Sequence, residues 1–225
     1  MTGTAAAATR YTTIAGQHRH ELEIRRSRFI TVLQRVETED EVRDLLGKLR
    51  REFSDARHHC SAFVLGPRRE IQRANDDGEP SGTAGQPMLE ALTRRESSPG
   101  RADLSDIAAI VVRYFGGTLL GAGGLVRAYS DSVSQALDSA PVIIRERRRV
   151  LEILAPPATA GRLENELRAL GTPVLAVEYE TELVRLTVAV DDQPAVVEAF
   201  SGRIAGLTAG TLTALPIGRE WVDRA

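Results

Sequence analysis

The most constraining feature of this sequence is a long apolar run that ends at a glycine-rich segment. Ile107 to Tyr114 (IAAIVVRY) is the most apolar run in the chain, which favours a central β-strand buried on both faces. Gly116 to Gly124 then holds five glycines in nine residues, and Leu125 to Leu137 places apolar residues along one helical face. The region therefore predicts a strand, a glycine-rich loop and a helix, in that order.

The sequence before this region also predicts strands and helices in alternation. Arg28 to Arg35 and His59 to Leu65 indicate strands, and a third short strand is expected near Glu70 to Arg73. Thr38 to Phe53 repeats apolar residues at helical spacing. Pro87 to Arg95 predicts a helix with proline in its first position, where the missing N–H costs nothing. The polar residues that precede the first of these strands are expected to be frayed.

The last third of the chain follows the order β-α-β-β-α-β, the ferredoxin-like split βαβ unit. Its predicted elements are, in chain order, Val150 to Leu154, Ala158 to Leu170, Val174 to Tyr179, Leu183 to Val190, Pro194 to Ile204 and Thr208 to Leu215. The joint between domains is expected near Ala140 to Arg149, a proline followed by a charge run. We therefore predict an α+β protein of two domains, residues 1–143 and 144–225.

Composition limits the partners of the chain. Its 29 basic and 31 acidic residues give a net charge of −2, so a nucleic-acid surface would have to be local. The single cysteine forms no internal disulfide and fits a reducing compartment. The start resembles no signal peptide, and no apolar run reaches the roughly 18 residues of a membrane helix. We expect a cytoplasmic protein without a membrane partner.

Asn75 to Gln86 is a loop rich in turn-forming residues that also carries three carboxylates. Its candidate ligand-binding residues are Asp76, Asp77, Glu79, Ser81 and Thr83. The carboxylates are suited to Mg²⁺ or Ca²⁺, although their spacing matches no EF-hand loop. Alternatively, the polar side chains bond to the loop backbone and arginines neutralise the acidic groups. Both interpretations stay open, and no metal is assigned.

The glycine-rich segment is a candidate anion site, because a helix N-terminus gathers N–H donors next to arginines. Its candidate residues are Arg113, Tyr114, Gly116, Gly117, Gly121, Gly123, Gly124 and Arg127. It is not a P-loop, since no Gly-Lys-Ser/Thr follows, and Val126 stands where the dinucleotide fingerprint needs its third glycine. Alternatively, the glycines only let the helix and the strand pack closely.

Two shorter motifs carry polar chemistry. His58 and Cys60 share one side of a strand while His59 points to the other, and two ligands are too few for zinc. A half-buried structural cluster is the default interpretation there, and His58 is kept as a ligand-binding candidate. Arg25, Arg26 and Arg28 precede Phe29, a pattern that contacts an RNA backbone and stacks on a base, or is simply solvated.

Four segments resemble the signature segments of the IMPACT family, in its bacterial, YigZ-like branch. They are SRFI (Ser27 to Ile30), ARHHC (Ala56 to Cys60), NDDGEPSGTAGQPML (Asn75 to Leu89) and VVRYFGGTLLGAGGLVRAY (Val111 to Tyr129). The resemblance implies an N-terminal domain like domain IV of elongation factor G and a C-terminal domain like its domain V. Both of those domains are associated with ribosome and RNA contact.

Two positions depart from the family pattern. Leu119 stands where many members have lysine, which weakens phosphate binding at the glycine-rich segment, whereas Arg26 replaces a lysine and keeps its charge. The leading hypothesis is a non-enzymatic, translation-associated protein that binds RNA or the ribosome through the DDGEPSGTAG and glycine-rich loops, without a cofactor. The alternatives are a metal-assisted enzyme acting on a phosphorylated small molecule, and a module that docks a protein partner.

Overall fold

The computed structural model describes residues 8–224, which form two compact units. One unit comprises residues 10–144 and is called the N-terminal unit. The other comprises residues 8–9 and 145–224 and is called the C-terminal unit. No helix among the described residues is long and apolar enough to cross a membrane. The first seven residues, which belong to the stretch predicted to be frayed, lie outside the described residues.

The N-terminal unit combines an antiparallel sheet with three helices. Its elements are, in chain order, β1 (Arg10–Ile14), β2 (Gln17–Ile24), β3 (Ser27–Arg35), α1 (Glu39–Glu52), β4 (His58–Leu65), β5 (Ile71–Asn75), α2 (Gly85–Arg94), β6 (Ile107–Tyr114) and α3 (Gly121–Ser139). Five of the strands form one sheet in the order β2-β3-β6-β4-β5. The central position of β6 is confirmed, and every residue from Ile107 to Val112 is fully buried.

The two faces of this sheet carry separate cores. Alternate residues of β6 point to opposite faces, so Ile107, Ala109 and Val111 pack with the apolar residues of α2 and α3. Ala108 and Ile110 pack on the other face against α1. Helix α1 begins where its cap predicts: the Thr38 hydroxyl accepts a hydrogen bond from the N–H of Glu41 at 3.2 Å.

The expectation of a frayed stretch before the first predicted strand is wrong from Arg10 onward. Tyr11 and Ile14 of β1 are buried in the core, and β2 forms a hairpin with β3. The sequence of β2, QHRHELEI, hides this strand because β2 lies at the edge of the sheet with one face exposed. Its alternating pattern therefore contains few apolar side chains.

The C-terminal unit has the expected βαββαβ order. Its elements are β7 (Val142–Ala155), which starts in the N-terminal unit, α4 (Pro157–Ala169), β8 (Val174–Tyr179), β9 (Val184–Asp191), α5 (Pro194–Leu207) and β10 (Ala214–Arg224). In their sheet β9 lies between β7 and β8, which α4 connects, and β10 pairs with β7. This is the strand order of a split βαβ unit. The chain is thus a mixed α and β protein with antiparallel sheets.

Two predicted strand boundaries in this region are wrong. The first strand begins at Val142 rather than Val150, because the charged side chains of the run before Val150 alternate between the two faces of β7 and pair with acidic residues. The last strand begins at Ala214 rather than Thr208, because residues 208–210 form the turn that ends α5. Ala209 and Gly210 both have positive φ there, which an extended strand does not allow.

Candidate functional site

Three neighbouring strands place the polar candidates in one row across the sheet. Arg113 of β6 lies opposite Phe29 of β3 on one side and opposite His58 of β4 on the other. Residues opposite each other on adjacent strands share a face, and this is the face covered by α2 and α3. Tyr114 is therefore on the other face, where its hydroxyl donates to a carboxylate oxygen of Asp55 at 2.8 Å.

The centre of the row is a buried ion pair. The Nη1 of Arg113 donates to Oε1 of Glu79 at 2.7 Å, and the two side chains are only 8% and 4% exposed. The hydroxyl of Tyr129, from α3, donates to the same carboxylate oxygen at 2.7 Å. Arg113 also lies over the rings of Phe29 and Phe115. The pair joins the acidic loop (residues 75–86) and the central strand, and Tyr129, which the sequence did not predict, connects it to α3.

Cys60 lies next to this pair as an inert thiol. Its Sγ is 3.0 Å from the carbonyl oxygen of Asp76 and 3.3 Å from the hydroxyl oxygen of Tyr129. Burial raises the pKa of the Cys60 thiol to about 12, so it is not a thiolate at neutral pH. Burial also raises the pKa of Tyr129, with Cys60 and Glu79 adding to the effect. The geometry favours the structural interpretation of the His-His-Cys motif.

His58 contacts both the loop and the ion pair. Its Nδ1 is 2.8 Å from the carbonyl oxygen of Asp77, and its Nε2 is 4.0 Å from Oε1 of Glu79. A carbonyl oxygen only accepts, so Nδ1 carries the hydrogen and Nε2 is a hydrogen-bond acceptor in the neutral ring. His59 faces the opposite side, and its backbone N–H donates to Oδ2 of Asp77 at 2.6 Å.

Asp76 closes the acidic loop and caps α2. Its Oδ2 accepts from the N–H of Gly82 at 2.8 Å, and its Oδ1 accepts from those of Ala84 and Gly85 at 3.1 and 2.7 Å. Desolvation alone would raise the pKa of Asp76, but the three N–H donors outweigh it and hold the pKa below its usual value. Asp76 thus satisfies N–H groups at the start of α2, whose own N-cap residue makes no side-chain bond.

Replacing Asp76 by asparagine is expected to destabilise the protein by about 2 kcal/mol at pH 7, because one carbonyl oxygen replaces a charged acceptor of three bonds. The folded pKa of Asp76 is depressed, so its contribution is present above the unfolded pKa near 3.8 and is lost as pH falls through the folded pKa. Urea unfolding at pH 7 and pH 3 tests this. A gap between wild type and Asp76→Asn that is equal at both pH values would contradict the capping role.

The three carboxylates of the loop point to different partners. Asp76 binds backbone N–H groups, Asp77 pairs with Arg50 at 2.8 Å, and Glu79 pairs with Arg113. Across residues 8–224, no three side chains of His, Cys, Asp or Glu are grouped as metal ligands. Of the other loop candidates, Thr83 donates to the carbonyl oxygen of Pro80 at 2.6 Å, and Ser81 is exposed. The arrangement favours the structural interpretation for Asp76, Asp77 and Thr83.

The glycine-rich segment is a shorter loop than the sequence predicts. The helix α3 begins at Gly121, so Gly123 and Gly124 are helical and only Gly116 and Gly117 belong to the loop. Gly117 and Gly121 have positive φ, which explains why glycine stands at both positions. Gly116 is required for another reason: a Cβ there would lie 2.0 Å from the carbonyl carbon of Arg26. The loop therefore packs its backbone against the β2–β3 turn.

That turn is a further feature that the sequence pattern did not show. Arg25 and Arg26 form the two-residue connection of the hairpin, and both have positive φ. Such turns favour Asn-Gly, so two arginines in this conformation are unusual. Arg26 donates to the hydroxyl of Thr118 at 3.1 Å, and the N–H of Gly116 donates to the hydroxyl of Ser27 at 3.2 Å. The turn thus holds two exposed guanidinium groups beside the glycine-rich loop.

A cavity of about 350 Å³ opens between the acidic loop, the glycine-rich loop and the start of α3. Its apolar walls are formed by Pro80, Phe115, Leu119, Leu120 and Leu125. Its polar lining is formed by Arg57, His58, Glu79 and Arg113. The lining is basic in net, because Glu79 is its only acid and is neutralised by Arg113. The volume lies within the range of about 300–1,000 Å³ for small-ligand sites.

The cavity brings together some of the sequence candidates and not others. Glu79, Arg113, His58 and Gly121 line it, whereas Tyr114 lies on the opposite face of the sheet. Arg127 is exposed on α3, two residues beyond the cavity residue Leu125 and so about 200° around the helix. Leu119 and Phe115 are apolar side chains exposed by 83% and 45%. The cavity therefore has an apolar rim, formed by residues that are not among the candidates from the sequence.

The chain is similar to several known proteins. The profile of the Impact N-terminal domain matches residues 25–137. The IMPACT family member YvyE of Bacillus subtilis is 42% identical over 200 residues, which cover 89% of this chain and 88% of that protein. The IMPACT family member YigZ of Escherichia coli is 35% identical over 204 residues, covering 87% and 92%.

A solved structure described as that of a hypothetical protein is also similar. It covers 93% of this chain and 98% of its own, with a TM-score of 0.63 and 33% identity. The matched domain contains the acidic loop, the buried ion pair and the glycine-rich loop. The chain therefore belongs to the IMPACT family, in the YigZ-like group of its bacterial members.

Proposed function

We propose that this protein binds single-stranded RNA in the cytoplasm, in a role linked to translation, with one unpaired nucleotide in the cavity of the N-terminal unit. The likeness of the two units to domains IV and V of elongation factor G, which the family resemblance implies, is part of the same proposal. The observation that carries it is the cavity itself: apolar walls, a half-exposed aromatic ring and a basic lining at the N-terminus of a long helix.

The walls suit a base. Unpaired bases are recognised by stacking on aromatic rings and by hydrogen bonds to their edges. Phe115 is exposed by 45%, and the guanidinium carbon of Arg113 lies 5.8 Å from the centre of its ring, which restrains the ring. His58 and the buried Arg113–Glu79 pair supply fixed polar atoms next to the apolar wall. Such a lining offers an acceptor, donors and a stacking surface within one nucleotide-sized space.

The surroundings suit a phosphate. The first N–H groups of α3 have no side-chain cap, because Leu120 stands at the N-cap. A helix N-terminus attracts anions, and Arg57 is exposed on the same cavity. Arg25 and Arg26 lie at the turn that packs against Gly116. The charges are few and local, which agrees with the absence of an overall basic excess.

Leu119 gives the sharpest test, because it is 83% exposed on the cavity rim and its substitution leaves the core intact. We expect Leu119→Lys to tighten binding of single-stranded RNA about three- to five-fold at low salt and Leu119→Glu to weaken it equally, since one charge near a phosphate contributes about 1 kcal/mol in water. The two variants should converge as salt rises, because screening removes the difference. Fluorescence anisotropy with a labelled oligonucleotide across a salt series measures this.

The matched control uses Leu170, an exposed leucine at the end of α4 that does not line this cavity. Leu170→Lys and Leu170→Glu make the same charge changes and should leave the affinity within two-fold of wild type. Duplex RNA serves as the second control, because its bases are not available for stacking. Equal affinities for wild type and both Leu119 variants at low salt would refute RNA binding at the cavity.

A further inference from the structure

The charge run RERRR at the start of the C-terminal unit is divided between the two faces of β7. Residues two apart in a strand share a face, so Arg147 and Arg149 lie together and Arg148 points to the other side. Both Arg147 and Arg149 contact one carboxylate, that of Asp192, which follows β9. The run thus builds a polar cluster within this unit.

The side-chain carboxylate of Asp192 contacts three arginines. The Nε of Arg147 lies 3.0 Å from its Oδ2, and the Nε of Arg149 donates to its Oδ1 at 2.9 Å. Arg219 of β10 donates from its Nε to Oδ2 at 2.7 Å. The Asp192 side chain is 4% exposed. Desolvation would raise the pKa of Asp192, but the arginines outweigh it and lower the pKa, so the carboxylate stays charged.

The charges of this cluster do not balance. Three guanidinium groups face one carboxylate, which leaves a surplus of two positive charges (3 − 1 = 2). The neighbouring cluster does balance: Arg148 pairs with Glu146 and Asp191, and Arg224 pairs with Glu146. That cluster holds two bases and two acids. Of these two clusters, the one around Asp192 carries the surplus.

Donors are also in surplus there. Each guanidinium has five N–H donors, whereas a carboxylate accepts about four hydrogen bonds. The contact between the buried Nε of Arg147 and Asp192 lacks the geometry of a hydrogen bond, so within the described part of the chain this N–H has no acceptor. The arginine side chains are accessible, with exposures of 22%, 25% and 52% for Arg147, Arg149 and Arg219. The helix α5 starts at Pro194, and its N-cap residue Gln193 makes no side-chain capping hydrogen bond.

We propose that Arg147, Arg149 and Arg219, oriented by Asp192, form a binding site for a phosphate group. Guanidinium groups bind phosphate oxygens through paired N–H donors, and a phosphate of charge −1 to −2 matches the surplus. The site belongs to the C-terminal unit. It does not rest on the function proposed for the cavity, and its phosphate can come from an RNA backbone or from free phosphate.

The first test is thermal unfolding of the full chain in phosphate and in chloride at equal ionic strength. We expect 50 mM phosphate to raise the Tm of the wild type by about 3 °C relative to chloride, and Arg219→Gln to lose most of this rise. Arg219 is half-exposed and its loss leaves Asp192 with two arginines, so the variant should fold. Arg224→Gln, the same change on the same strand in the balanced cluster, should keep the full rise.

A second arm identifies the source of the phosphate. If it comes from RNA, Arg219→Gln lowers the affinity for single-stranded RNA at low salt and reduces the salt slope by about one, while Arg224→Gln does so less. If it is free phosphate, only the Tm rise is lost and RNA affinity is unchanged. Equal Tm of the wild type in phosphate and chloride, or an equal rise in Arg219→Gln, would overturn the site. Neither result depends on the Leu119 variants.

Discussion

Replacing Arg113 by methionine is expected to lower the free energy of unfolding by about 3–5 kcal/mol, the largest single effect in the N-terminal unit. The variant leaves the Glu79 carboxylate without its counter-charge. This side chain is 4% exposed and would keep only the Tyr129 hydroxyl as a strong donor. A buried charge without its partner costs far more than the pair itself contributes. Urea unfolding followed by circular dichroism measures the loss.

Replacing the other partner of the ion pair tests whether the loss of stability comes from the broken pair or from the loss of the Arg113 side chain itself. Glu79→Gln should also destabilise, because the Arg113 guanidinium then stays buried at 8% exposure without a counter-charge. The double variant Arg113→Met with Glu79→Gln should lose less than the sum of the single losses, by about 1–3 kcal/mol, since neither charge is left alone. Strict additivity, or a loss below about 1 kcal/mol in either single variant, would contradict a coupled buried pair.

The expected loss of stability affects how RNA binding by Arg113 variants is interpreted. The sequence suggested Arg113 as a binding residue, and the structure places it in the core, in contact with Glu79, Ser27 and two aromatic rings. A loss of RNA binding in an Arg113 variant would therefore report unfolding as readily as a lost contact. Exposed positions such as Leu119 are the ones at which binding and stability can be varied separately.

The second large effect is expected at Gly116. Substitution by alanine places a Cβ 2.0 Å from both the carbonyl carbon and the carbonyl oxygen of Arg26, and backbone atoms cannot move aside as a side chain does. Gly116 does not have a positive φ, so alanine is excluded by the contact and not by its backbone conformation. We expect a destabilisation of about 3 kcal/mol or more, because the clash has to displace a turn already held in an unusual conformation.

Gly123→Ala is the matched control from the same segment. This glycine lies inside α3, and a Cβ there meets no atom within 4 Å apart from the adjacent residues and backbone of its own helix. Alanine should therefore stabilise the protein by about 0.5–1 kcal/mol, because it favours the helix. Opposite signs for the two glycine variants in denaturant unfolding would establish the close approach at Gly116. Two stabilising changes would show that the turn and the loop are free to separate.

Much of the element order follows from the local sequence pattern. The apolar run of β6, the helical spacing in α1 and the alternation in β9 were all predicted close to their observed bounds. Each is a strong local signal: continuous burial, a 3.6-residue period or a two-residue period. Strands β2 and β7 were missed or shortened because their charged side chains alternate on exposed faces or in ion pairs. Pattern alone does not distinguish such a strand from a solvated segment.

The candidate site was likewise predictable from the sequence only in part. The acidic loop, the glycine-rich segment and Arg113 stand out in the sequence, because turn residues, glycines and charges in unusual density are visible without coordinates. Their roles were not visible. Asp76 caps a helix, Glu79 is buried against Arg113, and two of the five glycines lie inside α3 beyond its first residue. The role of Glu79 depends on partners 34 and 50 residues away in the sequence. The role of the glycines depends on the residue at which α3 begins.

The sequence by itself determined the family, the order of most elements and the positions of the acidic loop and the glycine-rich loop, because all of these depend on local composition and residue spacing. What only the tertiary structure decided is which side chains meet. The row of Phe29, Arg113 and His58 exists because three strands distant in sequence pair in one register. Register and helix packing are set by the whole core, so the cavity and the Asp192 cluster emerge only when that core is assembled.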